Sequence, residues 1–322
     1  MIGKKVIIIV ICGLLIFGTI SIYKINSIPS NNGNDKKKDN STEDTITTGG
    51  DDEIKNITLN TTTSNDTFEM KTYTLKTPVV NETNCKDIIN DLYPMWTDDN
   101  ITTKAIDNIG IGFNKSDGTN CTETISFTSG GRMDYINHSA ERKWDDNLMA
   151  ILSSNVSVEL ITKEEAYQLS LEYIKKHGDF PNGSFLFFNN TSTHTTPNGS
   201  IINYSYTFSF KRTFDGYLIA GSSGEGLKIS VTPLGDVWIY SVLWREIDSI
   251  KNKITIKSSS DAVIYLDRHV SMNITIDRIE IGYFSDNSHK IQTELSPVWF
   301  FYTGSQNTNY LVVDAVGLGY IK

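Results

Sequence analysis

The sequence predicts an α+β fold, with tandem units of a helix laid on antiparallel strands behind a single N-terminal transmembrane helix. Three observations carry this. An uncharged run, Val6–Ile22, follows Lys4 and Lys5. From Thr67 onward, alternating apolar and polar residues are broken by turn clusters, which is the strand-and-hairpin pattern. Within that stretch a capped helix followed by three strands occurs twice, an internal repeat of element order.

The apolar run reads VIIIVICGLLIF at its centre and sits at the short end of the ~17–25 residues that cross a bilayer. The following TISIYKINS offers no small-x-small cleavage site, and Cys12 lacks a lipoprotein-type context. A retained signal-anchor is therefore favoured over a cleaved signal peptide. Lysines before the span and Tyr23 after it place the N-terminus inside and everything past Lys24 outside. Residues 27–66 carry mixed charge, few apolar residues and no aromatic ones. Such a stretch buries too little surface to offset its ordering entropy, so it reads as a disordered polar stalk, with short strands around Ile54–Leu59 as the alternative.

The folded part divides into an N-terminal α+β region over 67–156, a first unit over 157–250 and a second over 251–322. In the first region, Phe68–Leu75 is a strand and Cys85–Leu92 a short helix with Ile88, Ile89 and Leu92 on one face. Ile109–Phe113 and Thr124–Phe127 follow, and Ser129-Gly130-Gly131 turns the chain tightly into Met133–Ile136. The first unit opens with a helix over Ile161–Gly178. Thr162 caps it with Glu165 three residues on, and Ile161 can staple onto Ala166. Ala166, Leu169, Tyr173 and Ile174 form its apolar stripe, while Lys175, Lys176 and His177 suit the C-terminal dipole. Ser184–Phe188 is the next strand. In Ile202–Phe210, residues Ile202, Tyr204, Tyr206, Phe208 and Phe210 point to one face, and Leu227–Thr232 with Val237–Trp244 makes a hairpin around Pro233–Asp236. The second unit repeats this order. Ser258 and Asp261 start a helix carrying Ala262, Tyr265, Leu266 and His269, followed by strands at Ile274–Phe284, Leu295–Tyr302 and Tyr310–Val316.

Composition narrows the chemistry. With 29 Lys+Arg against 38 Asp+Glu the net charge is −9, which argues against nucleic acid as the main partner. The five histidines, His138, His177, His194, His269 and His289, stand far apart without HExxH spacing, and no CxxC occurs, so neither a metal nor a cofactor is expected. Gly221-Ser-Ser-Gly-Glu-Gly226 lacks the Gly-Lys-Ser/Thr of a phosphate loop and reads as a strand connection. Asp145 and Asp146 read as solvated surface, and no G-x-S-x-G marks an acyl-transfer enzyme. Cys85 and Cys121, the two thiols outside the span, favour a disulfide in an oxidising compartment over two buried free thiols. Beyond the membrane segment the chain is dense in N-glycosylation sequons, at Asn40, Asn56, Asn60, Asn65, Asn81, Asn100, Asn114, Asn120, Asn137, Asn155, Asn182, Asn189, Asn190, Asn198, Asn203 and Asn273. Most of the aromatic set belongs to sheet cores, while Tyr217 and Trp244, near strand ends, are candidates for an exposed partner-binding groove.

TKEEAYQLSLEYIKKHG with the aromatic strand after it, then Phe210–Ile219 and GLKISVTPLGDVWIYSVLW, resembles the PepSY-like units of membrane-anchored YycI/YycH-type and YpeB-type proteins. The closing LSPVWFFYTGSQNTNYLVVDAVGLGYI is similar to that family's last hairpin at Pro297, Trp299, Val313, Ala315 and Gly317, with Phe301 or Tyr302 in the aromatic slot. The likeness covers residues 68–322. It implies an extracytoplasmic protein on one transmembrane helix that regulates a protein partner by contact, with no motif-borne catalytic residue to carry over. The alternatives are a structural cell-envelope or adhesin-like glycoprotein and, more remotely, a hydrolase.

Overall fold

The structure, a computed structural model, describes residues 56–96, 101–106, 110–117, 120–154, 158–196, 199–221, 224–270, 273–304 and 309–321. The expected membrane span, the stalk as far as residue 55, and Asn100, Asn155 and Asn198 lie outside them. Among the described residues no helix is long and apolar enough to cross a membrane.

In chain order the elements are β1 (Ile57–Leu59), β2 (Glu69–Leu75), α1 (Glu82–Leu92), β3 (Ile101–Ile106), β4 (Gly110–Ser116), β5 (Cys121–Thr128), β6 (Met133–Asn137), α2 (His138–Ser154), α3 (Lys163–Lys176), β7 (Ser184–Thr195), β8 (Ile201–Phe214), β9 (Tyr217–Ala220), β10 (Gly226–Val231), β11 (Val237–Leu243), β12 (Ile247–Thr255), α4 (Ser259–His269), β13 (Ile274–Ile276), β14 (Arg278–Phe284), β15 (Glu294–Leu295), β16 (Pro297–Tyr302), β17 (Tyr310–Asp314) and β18 (Tyr320–Ile321). Among the described residues one large sheet runs β18-β17-β16-β14-β9-β8-β10-β11-β6-β5-β4-β3, and β7 pairs with the other edge of β8. Its pairs are antiparallel except β9 with β14. Strand β8 is long enough to carry β10 and then β9 along one edge, so its last residues connect the first meander, β8-β10-β11, to the second, β14-β16-β17.

The two repeat helices are built alike. Thr162 and Glu165 form a complete capping box on α3, and the Ser258 side chain accepts from the Asp261 amide on α4. Each ends in Tyr-x-x-x-His with the same local geometry. His177 stacks on Tyr173 at 3.9 Å, and His269 stacks on Tyr265 at 4.1 Å. Each Nδ1 lies 2.7 Å from the carbonyl oxygen of its tyrosine. Helices α1 and α3 bury Cys85, Ile89, Ala166 and Ile174 against Phe113, Ile125, Phe208, Phe210, Ile229 and Tyr240. Helix α4 buries Ala262, Val263 and Leu266 against Tyr283, Trp299, Phe301 and Val313. The alternate residues of β16, Val298, Phe300 and Tyr302, join Ala220 and Val312 in a third cluster, so this strand is buried on both faces.

Several expectations change on contact with the structure. Ile57–Leu59, assigned to the stalk, pairs in parallel with β13, and the Asn56 amide donates to Asp267 Oδ1 at 2.6 Å. Three residues with two apolar side chains give too short a pattern to outweigh their polar surroundings. The stripe of α3 runs through Ala166, Ser170 and Ile174 rather than Leu169, because the Ser170 hydroxyl satisfies itself on the Ala166 carbonyl at 2.8 Å. In β8 the register shifts opposite Ser192/Thr193. Ser205 and Tyr206 are consequently both buried, while Tyr204 donates to Asp145 Oδ1 on α2 at 3.0 Å instead of sharing the face of Tyr206, Phe208 and Phe210. Helix α2 was not foreseen. It lies over β5 and β11, with His138 Nε2 3.1 Å from Thr124 Oγ1, on the face opposite Ile125 and hence opposite α1 and α3.

His177 is not the helix-terminal cation that its position suggests. Burial lowers its pKa against a smaller opposing contribution from the Tyr173 carbonyl, so the ring is neutral at pH 7. A histidine whose folded pKa is depressed contributes stability above its unfolded pKa, about 6.5, and that contribution is lost as pH falls through the folded value. The melting temperature should therefore fall from pH 7 toward pH 5. The fall should be shallower in His177→Gln, and equal slopes in the two proteins would show that the ring charges freely.

Candidate functional site

The sheet face turned away from α1 and α3 is covered at one end by α2. Farther along it forms a groove. Strand pairing aligns Asp134, Ser241, Lys228 and Ser209 in one cross-strand row. In the next row Leu243 pairs with Gly226, with Arg132 and Lys211 on either side. Gly226 brings no side chain to this row. A cavity of about 260 Å3 opens there, lined by Arg132, Lys211, Lys228, Ser209 and Ser241 and walled by Phe187, Phe188 and Tyr310.

The charges in it are unbalanced. Arg132 Nε donates to Asp134 Oδ1 at 2.9 Å and to Ser241 Oγ at 2.8 Å, and the Ser241 hydroxyl donates to Asp134. Lys211 Nζ donates to the carbonyl oxygen of Glu225. Lys228 is exposed and makes no hydrogen bond or ion pair among the described residues. Burial pushes the Lys211 ammonium down to about 8, with Glu225 opposing the shift and Arg132 adding to it. Three cations thus gather where two carboxylates act on them, Asp134 on Arg132 and Lys228 and the buried Glu225 on Lys211.

The glycine-rich connection beside the groove is a packing device. An added Cβ would fall 1.8 Å from the Ser285 carbonyl oxygen at Gly221 and 2.1 Å from it at Gly224. At Gly226, where φ is +150°, it would fall 2.8 Å from the Phe210 carbonyl oxygen. These close approaches let the Glu225 amide donate to Ser285 Oγ at 2.7 Å, while the Glu225 carboxylate sits buried in an ion pair with Arg212. The contact is a charge pair more than an aligned hydrogen bond, since neither group meets hydrogen-bond geometry. Arg212 Nη2 donates to the Arg245 carbonyl at 2.6 Å, and the buried Arg245 guanidinium donates to Gln292 Oε1 at 3.0 Å and the Asp286 carbonyl at 3.1 Å. From the β5–β6 turn, Thr128 Oγ1 donates to the Ser288 carbonyl and Ser129 Oγ to the His289 carbonyl, each at 2.6 Å. Residues 285–292 are thereby fastened to the strands that carry the groove.

The sequence-derived sites fare unevenly. The disulfide expected between Cys85 and Cys121 is not formed, and both thiols are free. Cys85 turns into the core from α1, where burial pushes its thiol up to about 11, and Cys121 donates to the Glu123 carbonyl at 3.4 Å. Tyr217 and Trp244 do not meet in one groove. Tyr217 packs edge-on to Tyr283 at 6.0 Å in the second core, whereas Trp244 packs on the first, with the Arg212 guanidinium 6.0 Å from its ring. Asn60, Asn65, Asn81, Asn120, Asn182, Asn189, Asn190, Asn203 and Asn273 are exposed. Asn56, Asn114 and Asn137 are half-buried and engaged: Asn56 Nδ2 donates to the Asp267 carbonyl, Asn114 accepts from Thr124, and Asn137 accepts from the Ala140 amide. Asp145 and Asp146 lie on the exposed side of α2. Among the described residues no group of His, Cys, Asp and Glu is arranged to hold a metal ion. Arg132, Lys211 and Lys228 escaped sequence reading. Lys211 and Lys228 occupy polar positions in ordinary strand alternation and Arg132 ends the β5–β6 turn, and only the pairing of β6, β11, β10 and β8 brings them together.

The fold and groove define a helix-on-sheet protein with a cationic cleft. No family model matches the chain, and no curated protein sequence matches it. Among solved structures, an uncharacterized protein from Eubacterium rectale ATCC 33656 is 13% identical, with 79% of this chain aligned to 86% of that one at a TM-score of 0.48. The Bacillus megaterium YpeB C-terminal domain is 13% identical over 76% of this chain and 96% of its own, at 0.35. YycH from Bacillus subtilis is 12% identical over 79% of this chain and 54% of its own, at 0.40. Likenesses at this level assign no family, and the functional reading rests on the chain's own residues.

Proposed function

We propose that this chain is a membrane-anchored, outward-facing binding protein that regulates a protein partner by contact and performs no catalysis. The observation that carries it is the groove on the sheet face that α2 leaves open, where Lys228 stands exposed without a hydrogen-bond acceptor among the described residues. The apolar run Val6–Ile22, with lysines before it, supplies the anchor and the orientation. The exposed sequons, from Asn60 to Asn273, are the positions at which an outward-facing chain would carry sugars.

Copurification of the full chain from the membranes of its source cell tests this. Lys228→Glu should cut recovery of a stoichiometric membrane-protein partner about tenfold while leaving thermal unfolding unchanged, because reversing one charge in a desolvated contact costs on the order of 1.5–3 kcal/mol. Lys175→Glu, on the exposed side of α3, should leave recovery intact. Equal recovery with both variants, or recovery only of cell-wall material, would overturn the proposal.

A further inference from the structure

We infer that the groove is an oxyanion site, taking a carboxylate or phosphate group presented by the protein partner and holding it between Arg132, Lys211 and Lys228. The inference rests on the contact function proposed above and adds its chemistry. Lys211 has only a backbone carbonyl as acceptor, and Lys228 has no acceptor among the described residues, so both retain donors for an incoming anion. Asp134 is the one acid in the two rows, and both Arg132 and Ser241 already donate to it. The Ser209 hydroxyl, beside Lys228 in the row, makes no hydrogen bond among the described residues and supplies a neutral donor. Size narrows the ligand further. A cavity of about 260 Å3 lies just below the ~300–1,000 Å3 of pockets that enclose whole small molecules, which suits a single charged group at the end of a larger body. Phe187 and Phe188 offer apolar surface to the carbon chain bearing that group. Burial first, and the neighbouring Arg132 to a smaller degree, hold the Lys211 pKa down, and the charge of a bound oxyanion would oppose both.

The test titrates the full chain, labelled at its lysine Cε positions, with inorganic phosphate, N-acetylglutamate and the neutral N-acetylglutamine, following the Lys211 and Lys228 resonances. At least one anion should give saturable shifts at both lysines, about tenfold weaker in Lys228→Gln and unchanged in Lys175→Gln, while N-acetylglutamine gives none. The anion that saturates first tells a carboxylate site from a phosphate site. No saturable shift, equal shifts with the neutral amide, or indifference to Lys228→Gln would overturn the inference. If that happened while copurification still depended on Lys228, the contact function would stand and only the oxyanion chemistry would fall. Loss of both would remove the groove from the account.

Discussion

Replacing Glu225 by alanine is expected to destabilise the protein by about 3–5 kcal/mol, the range for removing one partner of a buried ion pair. Its carboxylate is almost fully buried and paired with Arg212, and the likewise buried Arg245 stands close enough for its charge to act on the same carboxylate. Without Glu225 two guanidinium groups would share a low-dielectric site in which Asp286 acts on Arg245 and Arg212 loses its ion-pair partner, which costs more than the pair itself contributes. Urea denaturation of wild type, Glu225→Ala and the double variant Glu225→Ala/Arg212→Met measures the effect. The double variant should recover part of the loss, because removing the second charge removes much of the penalty. A single variant within about 1 kcal/mol of wild type would mean that water reaches the pair.

Trp144→Ala should cost a similar amount, about 3–5 kcal/mol, as for large aromatic side chains deleted from a core. Trp144 is 1% exposed and, with Ala140 and Leu148, forms an i, i+4, i+8 stripe that holds α2 on the sheet. Because α2 covers the end of the face on which the groove lies, the loss should be local first. Amide exchange in α2 should accelerate at variant concentrations of urea that leave α3 protected. Simultaneous exchange of both helices would show that α2 is no separate cover and that the face depends on it throughout.

The same helix shows why legibility was uneven. The stripe Ala140, Trp144, Leu148 and the cap Asn137 were present in the sequence, but His138-Ser-Ala-Glu-Arg-Lys-Trp-Asp-Asp reads as polar surface because only one residue in four faces inward. Helix α3, by contrast, announces itself through Thr162 and Glu165, whose reciprocal hydrogen bonds are purely local. Hairpins such as β10–β11 were readable for the same reason, since their turn and alternation lie within one stretch of chain. The handover of the sheet from β9 to β14 was not, because it pairs Leu218 with Gly282, far apart in sequence. The groove falls in this second class. Lys228, Lys211 and Arg132 carry no motif, and their convergence depends on three strand pairings and on the missing side chain of Gly226. Tyr217 and Trp244 misled because aromatic residues near strand ends serve cores as readily as surfaces.

The claim that the open sheet face is the contact surface is tested most directly by lysine acetylation of the full chain, in native membranes and after purification from them. Lys228 and the exposed Lys175 give the comparison. The account predicts that Lys228 is protected in the membrane and reactive once the chain is purified, while Lys175 reacts equally in both. Equal reactivity of Lys228 in the two settings would contradict it.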